Sequence, residues 1–190
     1  MKINKNHYLL LTILFLFTTS GFSQTKVIWE LSKDQSVIGY EGVVAKDQRL
    51  SNLKVAGYIS AGAQRTLPED LTWPAEKSAN KERFIEYSLS PEKASKLNIK
   101  EISLALSFNS SSAGMVDIAW STDGSNYTII AENQKLQSGS IPKEYMFSNL
   151  DIPLLENQTF YLRIYPWTTS VISSKYLISK NVSINTVLKN

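Results

Sequence analysis

The stretch MVDIAWSTDGSNYTIIA, residues 115–131, carries the pattern on which the fold reading turns. Val116, Ile118 and Trp120 alternate with Met115, Asp117 and Ala119, the period of two that marks a strand with one buried face. Asp123-Gly124 is a tight-turn signal and a second short run opens at Tyr127, so the segment predicts an antiparallel hairpin. Trp120 shares parity with Val116 and Ile118 and is expected in the core.

The rest of the chain repeats this grammar. Short strand-like runs lie at 27–31, 37–45, 53–60, 83–89, 97–108, 144–147, 159–165 and 175–187, separated by Gly, Pro, Asn and Ser. No heptad, long helical period or short repeat interrupts them, so the chain reads as an all-β antiparallel sandwich or barrel. Three irregularities stand out. In 83–89, Phe84 and Tyr87 break alternation with Ile85, which predicts burial on both faces or a bulge. In 97–108, Ile99 falls out of phase with Ile102, Leu104, Leu106 and Phe108. Residues 61–80, with Gly62, Pro68, Pro74 and Trp73, read as a long irregular loop, which the tryptophan argues is ordered. Residues 109–114 are a loop by composition, and Trp29, in step with Val27 and Leu31, is expected in the core.

The first 23 residues read as a signal peptide rather than as fold. Lys2 and Lys5 precede an apolar run at 8–17, and Gly21-Phe22-Ser23 places small residues at a cleavage site. That run is too short to span a bilayer, which needs roughly 20 apolar residues, and no second one follows. The expected product is a single exported domain over 24–190, secreted or periplasmic, without membrane insertion and monomeric. It has no cysteine, so neither a disulfide framework nor a thiol nucleophile is available. The one histidine, His7, lies in the leader, which excludes a Ser-His-Asp triad, a Cys-His pair and an ordinary zinc site from the domain. The formal net charge of +3 falls to about +1 without Lys2 and Lys5, no basis for nucleic-acid binding.

Four segments occur in a familiar order: ERFIEYSLSPEKASKLNIKEISLALSF (82–108), VDIAWSTDGSNYTII (116–130), TFYLRIYPW (159–167) and KYLISKNVSI (175–184), with IWEL (28–31) and LTWPAE (71–76) before them. Together they resemble the noncatalytic β-sandwich modules attached to bacterial secreted pectate lyases and related polysaccharide-degrading enzymes. The Phe84–Tyr87 order and Trp120 depart from the usual aromatic pattern of that group, and no catalytic β-helix segment accompanies the motifs here. The resemblance implies a jelly-roll, galactose-binding-like sandwich that binds a polysaccharide or oligosaccharide, of pectic type, without catalysis.

Such binding needs flat aromatic faces and planar polar groups. In YLRIYPWTT (161–169), the strand is expected to end at Pro166, which cannot donate to a ladder. Trp167 beyond it, with Tyr165 and Arg163, forms either a stacking platform or a lid over the sandwich end in which Arg163 pairs with an acid; the platform is the reading adopted. Trp73 is the expected second wall, and Lys175 and Tyr176 are candidates to face an acidic glycan. Asp123 is a turn residue or, by analogy with other jelly rolls, a ligand for structural Ca²⁺, although calcium takes six to eight oxygens and one Asp does not define a site. No other cofactor is expected. Glu30, Glu41, Glu82, Glu86 and Asp117 are candidate acids for hydrolysis, but solvated strand faces account for all of them, and the chain is read as no enzyme. The alternatives are a protein-interaction or adhesion module and the remnant of a lyase.

Overall fold

The computed structural model describes residues 24–93, 95–110 and 114–189. The expected signal peptide and the middle of the 109–114 loop lie outside the described residues.

Strands are numbered along the chain, and two antiparallel sheets face each other. The first holds β10 (Lys143–Phe147), β7 (Lys96–Phe108), β14 (Leu177–Lys189), β4 (Ala63–Pro68) and β3 (Leu53–Ile59) in that order. On the same sheet, β1 (Gln24–Trp29) pairs with β14 and β11 (Ile152–Leu154) with β7. The second is β2 (Val43–Ser51), β6 (Phe84–Pro91), β12 (Phe160–Thr168), β8 (Gly114–Ser121) and β9 (Thr128–Lys135). A two-stranded ribbon, β5 (Thr72–Trp73) with β13 (Ile172–Ser173), lies beside them. This is an all-β antiparallel sandwich, one of the two architectures that the alternation predicts.

The inward faces supply one continuous core. Val27, Trp29, Ile102, Leu104, Leu106 and Ile184 come from the first sheet, Ile85, Tyr87, Val116, Ile118, Leu162 and Ile164 from the second. Trp29 and Tyr87 meet edge to face across the gap with centroids 5.2 Å apart, a geometry that aromatic quadrupoles favour. Trp120 is partly buried against this core and stacks on Phe160.

The irregular runs resolve physically. β8 and β9 form the predicted hairpin, and Gly124 takes the positive φ of 74° that the turn requires. β6 is buried on both faces, because ion pairs and a second aromatic cluster cover its outer side. Ile99 and Ile102 are both fully buried because β7 carries a register shift at Lys100, where Glu101 opposes Asn185 and Ile99 opposes Thr186. Such a bulge resets the alternation.

Two expectations are corrected. Residues 61–80 are not one irregular loop: β4 and β5 run through them, and β4 pairs on both sides with β3 and β14. Its inward side chains include Gln64 and Thr66, so an apolar period is silent there. Nor does β12 end at Pro166. It continues to Thr168 along β8, while its pairing with β6 stops at Ile164. The Pro166 carbonyl accepts from Arg83 Nε on that open side, and in an extended residue the nitrogen points the same way. The missing N–H therefore costs no ladder bond.

Candidate functional site

Alternation along β12 turns Leu162 and Ile164 inward and Tyr161, Arg163, Tyr165 and Trp167 outward. Register then decides their neighbours. Arg163 lies opposite Glu86 of β6, and Glu86 lies opposite Arg49 of β2 on its other side. The result is an Arg–Glu–Arg row across three strands. Arg163 Nε donates to Glu86 Oε2 at 2.7 Å and Arg49 Nε to Oε1 at 2.9 Å, while the Tyr127 hydroxyl lies 3.4 Å from Oε2. The Arg163 guanidinium is layered between the rings of Phe84, at 3.9 Å, and Tyr127, at 4.2 Å.

Charge is well anchored in this row. Burial opposes the Arg163 charge, but its hydrogen bonds to Glu86 and Tyr165, with the facing Tyr127 and Glu86, hold its pKa above the ordinary arginine value. Desolvation raises the Tyr127 phenol, against the pull of Arg163 and with the help of Glu86.

Lys46 and Arg49 would point to opposite faces of a regular strand. A bulge in β2 changes that: Lys46 opposes Ser88 and Arg49 opposes Glu86, so both stand on the outer face. Above the row opens a cleft of about 470 Å³, bounded among others by Lys46, Arg49, Glu86, Asp123, Tyr161 and Arg163. Arg49 is its most exposed guanidinium, with 59% of the side chain accessible and only Nε engaged with Glu86. Lys46 is exposed beside it.

The other half of the row is covered. Residues 74–83 cross the outer face and bury Tyr165 and Trp167 in a small cluster with Ala79, Phe84 and Ala119. The segment is tied down by Glu76 N to Thr168 O at 2.8 Å, by an Arg83–Glu76 ion pair, and by Lys81, which reaches Asp117 at 3.3 Å and sits over the Tyr165 ring at 4.6 Å. Trp167 is 4% exposed and its indole N–H finds no hydrogen-bond partner among the described residues. The expected exposed platform of Trp167 and Tyr165 is therefore corrected: neither ring offers a free face, whereas Arg163 does border the cleft. Trp73 is likewise no wall. It is fully buried against Phe108, and its Nε1 donates to the Lys175 carbonyl at 2.9 Å. Lys175 is exposed, and Tyr176 lies under Arg65 of β4, on the other sheet; the fold does not bring either to the cleft.

Asp123 closes one end of the cleft as a turn residue. Its carboxylate accepts from Ser125 N, Asn126 N, Asn126 Nδ2 and Ser121 Oγ, and the Asn126 bonds lead in holding its pKa far below the usual carboxylate value. With its oxygens so occupied, and no group of three or more His, Cys, Asp or Glu gathered as a metal cradle among the described residues, the calcium reading has no site at Asp123. The reading of all five acids as solvated is corrected for two. Glu86 and Asp117 are buried, the latter held by Lys81 and by Asn133 N at 2.9 Å.

Sequence reasoning missed Arg49, Lys46, Tyr161, Phe84 and Tyr127 as site residues. Parity marks Tyr161 as a neighbour of Arg163, but nothing local marks the others, because β2 and the Tyr127 turn reach the row only through sheet order.

No protein-family model matches this sequence, and no curated protein matches it. Among solved structures, it is similar to a family 29 carbohydrate-binding module from Piromyces equi, at 14% identity over 86% of this chain and 91% of that chain, with a TM-score of 0.45. It is similar also to the CBM22-1 xylan-binding domain of Paenibacillus barcinonensis Xyn10C, at 11% identity over 82% and 90% of the two chains, with a TM-score of 0.36. A third, CpGH89CBM32-6 produced by Clostridium perfringens, gives 14% identity over 80% and 96%, with a TM-score of 0.31. Such values describe a distant likeness and carry no information on ligand.

Proposed function

We propose that this protein binds a polysaccharide without cleaving it, outside the cytoplasm and as a monomer, through the cleft on the outer face of the five-stranded sheet. The ligand class that fits is an acidic, pectic-type glycan. The observation that carries this reading is the Arg49 guanidinium. Glu86 orients it through Nε alone, the side chain stands open to solvent, and Lys46 lies beside it. A planar cation held this way is suited to a uronate carboxylate. Tyr161 and Arg163 form the floor next to it. The motif resemblance of 82–108, 116–130 and 159–167 points to the same ligand class. The two buried acids are poor candidates for proton transfer, since Glu86 is shared by two arginines and a tyrosine and Asp117 is held by Lys81 and a backbone N–H.

The test is calorimetric titration of the domain with homogalacturonan, alginate, xylan and galactan oligosaccharides, beside a folded Arg49→Ala variant. The expected result is saturable binding of the uronate-containing oligosaccharides, weakened about tenfold or more in the variant, as loss of a charge-assisted hydrogen bond implies. Equal binding of neutral and acidic glycans, indifferent to Arg49, would refute the acidic class. No heat from any glycan would refute the polysaccharide reading and leave a protein-interaction module in its place.

A further inference from the structure

Deep between the sheets, two glutamine carboxamides face each other beside the Tyr87 hydroxyl and Thr66. Gln48 of β2 and Gln64 of β4 are 5% and 0% exposed. Gln48 Nε2 donates to Gln64 Oε1 and Gln64 Nε2 donates to Gln48 Oε1, both at 2.9 Å. Gln48 Nε2 also lies 2.9 Å from the Tyr87 hydroxyl, and Thr66 Oγ1 lies 3.3 Å from Gln64 Oε1. Burying amides is unfavourable unless they are fully bonded, so a pair bonded in both directions at this depth asks for a reason.

Gln48 is the inward residue of the β2 bulge. Asp47 and Gln48 together oppose one residue of β6, Tyr87, and it is the Tyr87 hydroxyl that Gln48 engages. Groups at the bulge are bonded from outside the β2–β6 ladder. Trp29 Nε1 donates to the Lys46 carbonyl at 2.9 Å, and Gln48 N donates to the Gln35 carbonyl at 3.0 Å. Gln35 Nε2 donates to the Gln48 carbonyl at 3.3 Å, and Val37 N to Asp47 Oδ1 at 3.2 Å. The bulge is thus held from β1, from residues 35–37, from β4 and from β6.

We infer that Gln48, locked by Gln64 and Tyr87, is the positioning residue of the cleft: it fixes the bulge that sets Lys46 and Arg49 side by side on the outer face. The inference rests on the reading of that cleft as the ligand site, but its first test does not need a ligand. Arg49 and Arg163 share Glu86, yet only Arg49 sits on the bulged strand, so Arg163 is an internal control.

The Nε–H exchange of both arginines is followed by NMR in the wild-type domain and in a Gln48→Met, Gln64→Met, Tyr87→Phe triple variant, which removes both amides and the hydroxyl together. The expected result is exchange at Arg49 about tenfold faster, with Arg163 unchanged. Unchanged exchange at both, or equal acceleration at both, would overturn the assignment. If the triple variant does not fold, Tyr87→Phe alone takes its place, with a several-fold acceleration confined to Arg49 expected and the same overturning results. Titration with homogalacturonan oligosaccharides then separates the two readings. Selective release of Arg49 in a protein that binds no glycan sinks the glycan function and leaves the positioning role standing; binding that persists at full strength after Arg49 is released sinks the role of the bulge in recognition.

Discussion

Glu86 is the residue whose meaning changes most between sequence and structure. In the sequence it is one acid among five, on a strand where a solvated face is the ordinary expectation. Register places it between two arginines from strands 37 residues before it and 77 residues after it. No local pattern carries that information. The two bonds should differ in worth. Arg163 is 17% exposed in its side chain and Arg49 59%, against 7% for Glu86. Truncating Glu86 leaves a largely buried guanidinium without its partner, so Glu86→Ala is expected to lower the unfolding free energy by about 3 kcal/mol. Arg49→Ala removes a mostly exposed partner, and denaturant unfolding should show a loss under about 1 kcal/mol. Equal losses would mean that the row does not share its charge in this way. Arg163 and Tyr165 of YLRIYPWTT were legible as neighbours, but the tryptophan's burial was not, because 74–83 covers it from a distant part of the chain.

At the scale of elements, the hairpin at 115–131 was legible because alternation and the Asp-Gly turn agree. The phase slip at Ile99 was also visible as an anomaly, and a bulge at Lys100 is its cause. β4 was not legible, since Gln64 and Thr66 occupy positions where period-two reading looks for apolar side chains. Within the hairpin, Asp123 makes a pH prediction. Its folded-state pKa is depressed by the Asn126, Ser125 and Ser121 bonds, while the unfolded value is near 3.9. The stabilisation is therefore fully present above about pH 5 and fades as pH falls through the unfolded value toward the folded one. Urea midpoints of the wild type and of Asp123→Ala should differ at neutral pH and draw together as the solution is acidified toward pH 2. A gap that stays constant with pH would refute the role of the ionised carboxylate.

Across the whole molecule, period-two reading distinguishes inside from outside but not which strands become neighbours. The all-β class and most core residues follow from alternation alone, which leaves sandwich and barrel both open. The cleft does not, because it is assembled by β2, β6, β12 and the Asp123 turn, and sheet order is a matter of global packing. One topological fact has a mechanical consequence. β1 pairs with β14 from Gln24↔Val187 to Trp29↔Val182, so the first described strand and the last leave the sandwich from the same corner. Tension between residues 24 and 189 loads that ladder from one end, and its bonds open in sequence rather than together. Force spectroscopy should record a low-force detachment of β1 ahead of the main rupture; one high-force event would contradict it. Trp29 is the last residue of β1 to be peeled away, and its indole also holds the Lys46 carbonyl. The first strand is in that sense a tensile fuse, and a pull strong enough to blow it would also loosen the grip of the opposite sheet.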